Sequence, residues 1–363
     1  PAVELIGGYD TNPARASVAQ GASLYAVAPE LLMQSNWSRH EFKAELRGSY
    51  TGYSPDATPT LSRPNATGKV DARIDVTRDT RIDLAGRLLL ATDNPGSPNL
   101  QAGLARLPVF TTVGGSVGLG QQFNRLDVSV KGDVDRTVYQ QSVLTDGTTA
   151  SNDDRNFDQY AGKLRGGYEL SPGVKPYVEV DVDTRVHDLN TDFFGYQRDS
   201  KGLTGMVGTT FKLTNTLTGD IGVGYTKRSY QDPRLDPIAG AVGNASLIWT
   251  VDALTTVKFI GASAVAESTV PGVSGELSRD IGLQVDHSFR RWLIGTLKVG
   301  AGLDDYVGLN REDRRFSVGA GMTYKLNRSV QIKGEFQQYW LRSNAVGADY
   351  AACVFLLGLR LQR

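Results

Sequence analysis

The sequence predicts an all-β chain closed into one transmembrane antiparallel up-and-down barrel of 18 strands. Three observations predict it: strict apolar/charged alternation, tight turns that recur about every 40 residues, and aromatic residues gathered at strand ends. Alternation is the primary signal, because successive side chains of a strand point to opposite faces. Phe42, Ala44 and Leu46 oppose Glu41, Lys43, Glu45 and Arg47; Val70, Ala72, Ile74 and Val76 oppose Lys69, Asp71, Arg73 and Asp75. Further on, Leu126, Val128 and Val130 oppose Asp127, Ser129, Lys131 and Asp133, and Val178, Val180 and Val182 oppose Glu179, Asp181 and Asp183. Near the end, Val330, Ile332, Gly334 and Phe336 oppose Gln331, Lys333, Glu335 and Gln337. No segment of comparable length carries a 3.6-residue period.

Tight-turn signals fall at Ser35-Asn36, Arg78-Asp79, Gln122-Phe123-Asn124, Ser171-Pro172-Gly173, Thr214-Asn215, Val251-Asp252, Arg290-Arg291 and Leu326-Asn327-Arg328. Several hold the residues that hairpins favour. Their centres lie 37 to 49 residues apart, which leaves room for two strands and one longer polar connection. The longer connections are read at 11–20, 53–65, 93–107, 141–155, 189–198, 230–237, 269–274, 308–312 and 344–348. Eight turns and nine loops join 18 strands, an even number, so both termini leave on the short-turn side. Strands of about 13 residues at ~3.3 Å each, tilted ~40°, cross roughly 33 Å. A single domain, 1–363, is expected.

Composition narrows the class further. Thirty-nine basic and 39 acidic residues cancel, which argues against a nucleic-acid partner. No apolar run approaches the ~18 residues of a membrane helix. One cysteine, Cys353, excludes an internal disulfide framework and a Cys-rich metal site. The chain opens at Pro1, as expected if a signal peptide has been removed. A repeat near 40 residues also fits a β-propeller, but blades pack four short strands into that length and this chain has two long ones. The charged parity of nearly every strand suits a polar interior with an apolar exterior. Trp37, Trp249, Trp292, Tyr168, Tyr177 and Tyr324 lie near tight turns; Tyr50, Tyr53, Tyr139, Tyr230, Tyr306, Trp340 and Tyr350 lie near long loops. Two aromatic belts, one at each membrane interface, are expected. Pro29 inside the second strand conflicts with a ladder and predicts a bulge.

The two ends of the chain carry a resemblance. Gly7-Gly8-Tyr9 leads into Asp10-Thr11-Asn12, followed by Ser23-Leu24-Tyr25-Ala26-Val27-Ala28-Pro29-Glu30-Leu31 and a strand ending Tyr50-Thr51-Gly52-Tyr53. The chain closes on Val354-Phe355-Leu356-Leu357-Gly358-Leu359-Arg360-Leu361. This order resembles the bacterial outer-membrane family called putative β-barrel porin 2, over the whole length in architecture and at the two ends in residues. One departure is the terminus, Leu361-Gln362-Arg363, where many such barrels end in an aromatic; the insertion signal is then read from Phe355 to Leu361, or the chain is trimmed. The resemblance implies a bacterial outer-membrane location with periplasmic termini and longer extracellular loops. It also implies kinship with outer-membrane components of exopolysaccharide export, and it brings no catalytic residues.

The interior parity supplies the candidate pore-lining residues: Lys43, Arg47, Arg73, Arg87, Lys131, Asp133, Glu179, Asp181, Arg185, Arg315, Lys333 and Glu335. Such charges either pair into ladders that stiffen the wall or set a transverse field that orients solutes. Gly114, Gly118, Gly120, Gly222, Gly224, Gly300, Gly302, Gly319 and Gly321 share the interior parity, and either widen the passage or let the sheet bend. The three longest loops, 53–65, 93–107 and 141–155, can dip inward, and none is long enough to fill the barrel.

His40, His187 and His287 are separated in sequence and build no catalytic triad, and no metal or cofactor motif is present, so an enzyme is not expected. Three functions follow: a channel for small hydrophilic solutes, a polysaccharide export conduit working with periplasmic partners, or a scaffolding barrel with a closed lumen. The apolar outward parity of Val3, Leu5, Gly7 and Tyr9 and of Phe355, Leu357 and Leu359 favours a monomer set in outer-membrane lipid and lipopolysaccharide.

Overall fold

The structure, a computed structural model, describes residues 1–55 and 59–363. Eighteen strands form one antiparallel sheet: β1 (Ala2–Asp10), β2 (Ala22–Gln34), β3 (Glu41–Ser54), β4 (Arg63–Asp75), β5 (Thr80–Thr92), β6 (Val109–Phe123), β7 (Leu126–Tyr139), β8 (Phe157–Tyr168) and β9 (Val174–His187) in the first half. The second half holds β10 (Ser200–Lys212), β11 (Leu217–Tyr230), β12 (Ile238–Thr250), β13 (Thr255–Glu267), β14 (Gly275–Arg290), β15 (Leu293–Val307), β16 (Arg311–Lys325), β17 (Val330–Ser343) and β18 (Tyr350–Gln362). Each strand pairs with its sequence neighbour, and β1 pairs with β18 from Ala2↔Gln362 to Asp10↔Val354, so the sheet closes on itself. Closure removes the edges that an open sheet of this size would expose.

Every predicted tight turn lies between two strands. Asn124 takes a left-handed φ of 54° in the two-residue link between β6 and β7, a conformation asparagine tolerates better than most residues. Gly173 does the same at φ 81° between β8 and β9. Among the described residues, no helix is long and apolar enough to cross a membrane. The strands present the apolar face instead: Val117 is 62% exposed, Val223 61% and Leu357 65%, all on the outward parity. An apolar belt running round a whole barrel is stable only against lipid.

Two expectations are corrected here. Pro29 makes no bulge. The β2–β3 register holds at Val27↔Tyr50 and again at Glu30↔Arg47 with no residue inserted, and Pro29 still pairs with Val3 of β1. The ladder to β3 is interrupted only at Ala28 and Pro29, and a Cβ added at Gly48 would stand 3.5 Å from the proline ring, in ordinary van der Waals contact. The aromatic belts are also differently staffed. Tyr53, Tyr139, Tyr177, Tyr230, Tyr306 and Tyr350 sit on the interior parity, where Tyr177 is 4% exposed and donates to Asp220 at 2.9 Å. Outward aromatics at the long-loop end include Tyr9, Tyr25, Tyr50, Tyr160, Tyr225, Phe316, Phe355 and, as expected, Trp340; at the short-turn end they include Trp37, Phe123, Tyr168, Trp249, Phe289, Trp292 and Tyr324.

One stretch of wall departs from the regular barrel. Most neighbouring strands pair along their whole common length, but β12 and β13 pair only from Ala245↔Gly261 to Thr250↔Thr256. Beyond that point β13 stays registered with β14 as far as Glu267↔Gly275. It leaves β12, whose edge is met by side chains instead: Ser263 Oγ accepts from the Gly243 amide at 3.0 Å, and Arg279 Nε donates to the Ala241 carbonyl at 3.0 Å. The long-loop half of β13 and β14 is thus furled inside β11 and β12. Ile238 and Leu277, sandwiched between the two layers, are buried.

Candidate channel lumen

Strand parity carries the charged residues inward, and the structure shows what each meets there. On β2, β3 and β4, Arg47 reaches Glu45 at 2.7 Å and Glu30 at 3.3 Å, Lys43 pairs with Glu41, and Arg73 lies 3.1 Å from Asp75. Lys333 reaches Glu4 of β1 at 2.6 Å, and Glu335 receives Lys298 at 2.8 Å. Reaching from β5 over β6 to β7, Arg87 forks between Asp135 at 2.5 Å and Asp133 at 3.0 Å, and Asp133 also holds Lys131 at 2.8 Å. Glu179 and Asp181 share Lys163 at 3.0 and 3.3 Å. Arg315 joins Asp304 at 2.6 Å and Asp280 at 2.9 Å. All twelve candidates are ion-paired, in runs that step from strand to strand. Individually, such solvated pairs contribute about 0–1 kcal/mol each; together they line a wall with closely spaced charges of both signs.

Two of the twelve, Glu179 and Arg185, are buried, and Arg185 has the most varied partners. Its guanidinium donates to Gln159 at 2.9 Å on the neighbouring strand β8, crosses the lumen to the Val265 carbonyl at 2.9 Å, and pairs with Glu267 at the tip of the furl. Arg228 of β11 binds Asp183 and donates to Ser200 at 2.8 Å just beside it. Arg185 and Glu267 latch the furled half of β13 against the opposite layer. Sequence reasoning placed Arg185 in the lumen and missed Glu267. The signal was present: Ser263 and Glu267 stand on the lipid parity of β13, while Ala262, Ala264 and Ala266 stand on the lumen parity, a local inversion of the barrel pattern.

The interior glycines neither simply widen the passage nor serve curvature alone. Added Cβ atoms would stand 2.4 Å from the Tyr177 ring at Gly208, 2.7 Å from its hydroxyl at Gly222, 2.8 Å from Arg315 at Gly302, and 1.8 Å from the Asp135 carboxylate at Gly114. These positions give room to side chains from one or two strands away. The cavities left over are polar. One of about 410 Å³ is bounded by Arg87, Lys131, Asp133, Lys163, Asp181 and Asn244, and one of about 620 Å³ by Arg15, Arg63, Asp280, Gly302, Arg315 and Tyr339.

Loops cover the long-loop end. Loop 93–108 runs across the mouth: Asn99 accepts from Ser268 Oγ at 3.0 Å and from the Thr269 amide at 3.1 Å, both in loop 268–274. The Thr60 amide donates to Ala105 at 2.8 Å, and the Ala105 amide to Val143 at 2.7 Å, which stitches three loops together. Leu61 and Leu107 drop into the barrel and pack on Ala22, Leu24, Tyr53 and Val354, an apolar core inside the lumen mouth. The inward dip anticipated for loops 53–65 and 93–107 therefore occurs, with residues 56–58 outside the described residues. The histidines have structural partners: His40 Nδ1 accepts from the Asp75 amide at 3.2 Å, His187 meets Asp199 at 3.2 Å, and His287 meets Thr255 at 3.0 Å. Among the described residues no three His, Cys, Asp or Glu side chains are grouped to hold a metal ion.

Among solved structures the chain is similar to the outer membrane protein OpdK of Pseudomonas aeruginosa (10% identity, 99% of this chain and 98% of that one, TM-score 0.44). It is also similar to OpdL of the same organism (14%, 99% and 98%, TM-score 0.42) and to the FrpB iron transporter of Neisseria meningitidis (9%, 94% and 62%, TM-score 0.46). Likenesses this distant say nothing of solute. Comparison with curated proteins finds no match. The family model described as putative beta-barrel porin 2 matches residues 1–363, and with a closed 18-stranded barrel and a charged interior already in view, the chain belongs to that family.

Proposed function

We propose that the protein is an outer-membrane channel for small hydrophilic solutes, with both termini and the short turns in the periplasm and the stitched loops outside. The observation that carries this reading is the lumen itself, in which polar cavities of hundreds of Å³ persist beside the furl and below the covering loops. A barrel of this strand number has room for an aqueous path, and dense ion pairs of both signs suit uncharged polar or zwitterionic solutes better than either ion alone. The apolar outward faces of β1 and β18 support a monomer whose seam meets lipid. The furl and the loop cover favour small solutes over a passage wide enough for polysaccharide.

Proteoliposome swelling checks the proposal. Pentoses and small amino acids are expected to enter, with rates that fall steeply for di- and trisaccharides. Swelling by no solute, from a barrel shown to be folded by its heat-modifiable mobility, would favour a scaffolding role. Entry of long oligosaccharides at rates like those of pentoses would favour an export conduit. The charge pattern gives a second expectation. Arg87 holds both Asp133 and Asp135, so Arg87→Gln leaves two carboxylates with one lysine between them. Reversal potentials in a salt gradient are expected to shift toward cation selectivity, roughly twofold in permeability ratio.

A further inference from the structure

A cavity of about 620 Å³ lies between the loops at the mouth, outside the charged lumen. One part of its wall is apolar, with Leu100 and Pro108 on one side, Phe193 and Phe194 from the turn before Gly195, and Val270 and Pro271 from the loop after the furl; Ser142, Ser151 and Asn152 are among the polar residues of the rest. Phe193 and Phe194 are more than half exposed and sit side by side, an apolar pair on the loop surface. Below it, toward the lumen, lies a second cavity of about 360 Å³ that holds Phe110 stacked on Tyr139 with ring centroids 5.1 Å apart. Asn99, Asp154, Arg155 and Thr269 border both cavities.

Three of those four are already engaged. Arg155 forks onto Asp93 at 2.8 and 3.2 Å and lies 3.8 Å above the Tyr139 ring, and Asn99 and Thr269 bind each other. Asp154 differs. Among the described residues no cation lies within ion-pair distance of it, and its carboxylate accepts only a long 3.5 Å bond from the Phe193 amide. Burial, reinforced by the neighbouring Asp192 charge, pushes the Asp154 carboxyl up against the pull of that amide and of Arg155. Asp192 itself is satisfied by Arg198 at 2.6 Å. A half-buried carboxylate with no ion-pair partner among the described residues, at the border of a cavity with aromatic walls, suits a cation carried on an apolar body.

We propose that this vestibule is a binding site for small amphipathic amines, the apolar body between Phe193, Phe194 and Val270 and the ammonium on Asp154. The volume lies in the range of small-ligand pockets, and the two exposed rings add cation–π attraction for the incoming charge. An anion of the same shape would meet Asp154 without a free cation to offset it. Binding requires no open pore, so it stands apart from the channel proposal.

Calorimetry on the refolded full-length barrel, with phenethylamine, 2-phenylethanol and 3-phenylpropionate as probes, tests it. The amine is expected to bind about tenfold tighter than the alcohol, the equivalent of ~1.4 kcal/mol, and the carboxylate weakest. Asp154→Asn is expected to abolish the amine's advantage while leaving the alcohol's affinity unchanged. The double change Phe193→Ala/Phe194→Ala is expected to weaken amine and alcohol alike by about tenfold, which separates loss of the apolar wall from loss of the charge. An amine that binds no tighter than the alcohol, an advantage that survives Asp154→Asn, or no binding by any probe would overturn the site. A folded barrel that binds the amine but conducts nothing would contradict the channel and leave the site standing.

Discussion

Replacing Arg185 with alanine is expected to raise single-channel conductance and to lower the unfolding midpoint of the same protein. The guanidinium is the one group that reaches from β9 across the lumen to the backbone and the carboxylate of the furled strand. Without it Glu267 stays buried with no partner for the oxygen Arg185 had bound, and its other oxygen, Oε2, already lacks one. Leaving one member of a buried pair alone costs about 3–5 kcal/mol, more than the two bonds from Ser263 and Arg279 to the edge of β12 return. The furled half of β13 is then expected to leave its place, and the constriction it makes to open. Conductance steps, noise and heat-modifiable mobility read the change. Arg185→Ala/Glu267→Ala is expected to recover much of the stability while keeping the larger conductance, because no unpaired charge remains. Unchanged conductance in both variants would show that the furl does not limit the pore.

The second large effect tests the wall itself. Val117 stands on the lipid face near the middle of β6, and the inward Lys131 pairs with Gly118, its neighbour on that strand. Val117→Arg is expected to destabilise the folded, inserted barrel by about 2–4 kcal/mol, the cost of a guanidinium near the bilayer midplane. Lys131→Gln removes a solvated partner of Asp133 and is expected to cost no more than about 1 kcal/mol. Urea titration of the vesicle-bound protein measures both. Equal costs, or a tolerated Val117→Arg, would contradict the assignment of the outward face to lipid.

Much of this architecture was legible because a barrel strand repeats one simple rule. Each residue from Val178 to Asp183 announces its face by polarity alone, and the links at Asn124 and Gly173 need backbone conformations that few residues accept. The same rule, applied strictly, would have turned Tyr177 inward, since it shares parity with Glu179; placing it by distance from a turn put it in the wrong belt. The furl was less legible. Alanine at 262, 264 and 266 is neutral enough to pass on either face, so the inversion rests on Ser263 and Glu267 alone, which read as scatter until Arg185 supplies the partner. That pairing joins residues 82 apart, and the Asn99–Thr269 clasp joins residues 170 apart. Contacts of this range leave no local periodicity. Parity nominates the twelve lumen candidates, but their pairing depends on which rotamers meet across nearby strands, and the glycines that make room for those rotamers carry no sign of it in sequence.

The measurement that bears most directly on the account is single-channel recording of the refolded wild-type protein in a planar bilayer, with oligosaccharides of increasing length added to the loop side. The expected record shows small, steady open steps that short sugars reduce and that grow when Arg185 is replaced. A folded barrel that gives no steps, in the wild type and in Arg185→Ala alike, would contradict the proposal that this lumen is a path for solutes.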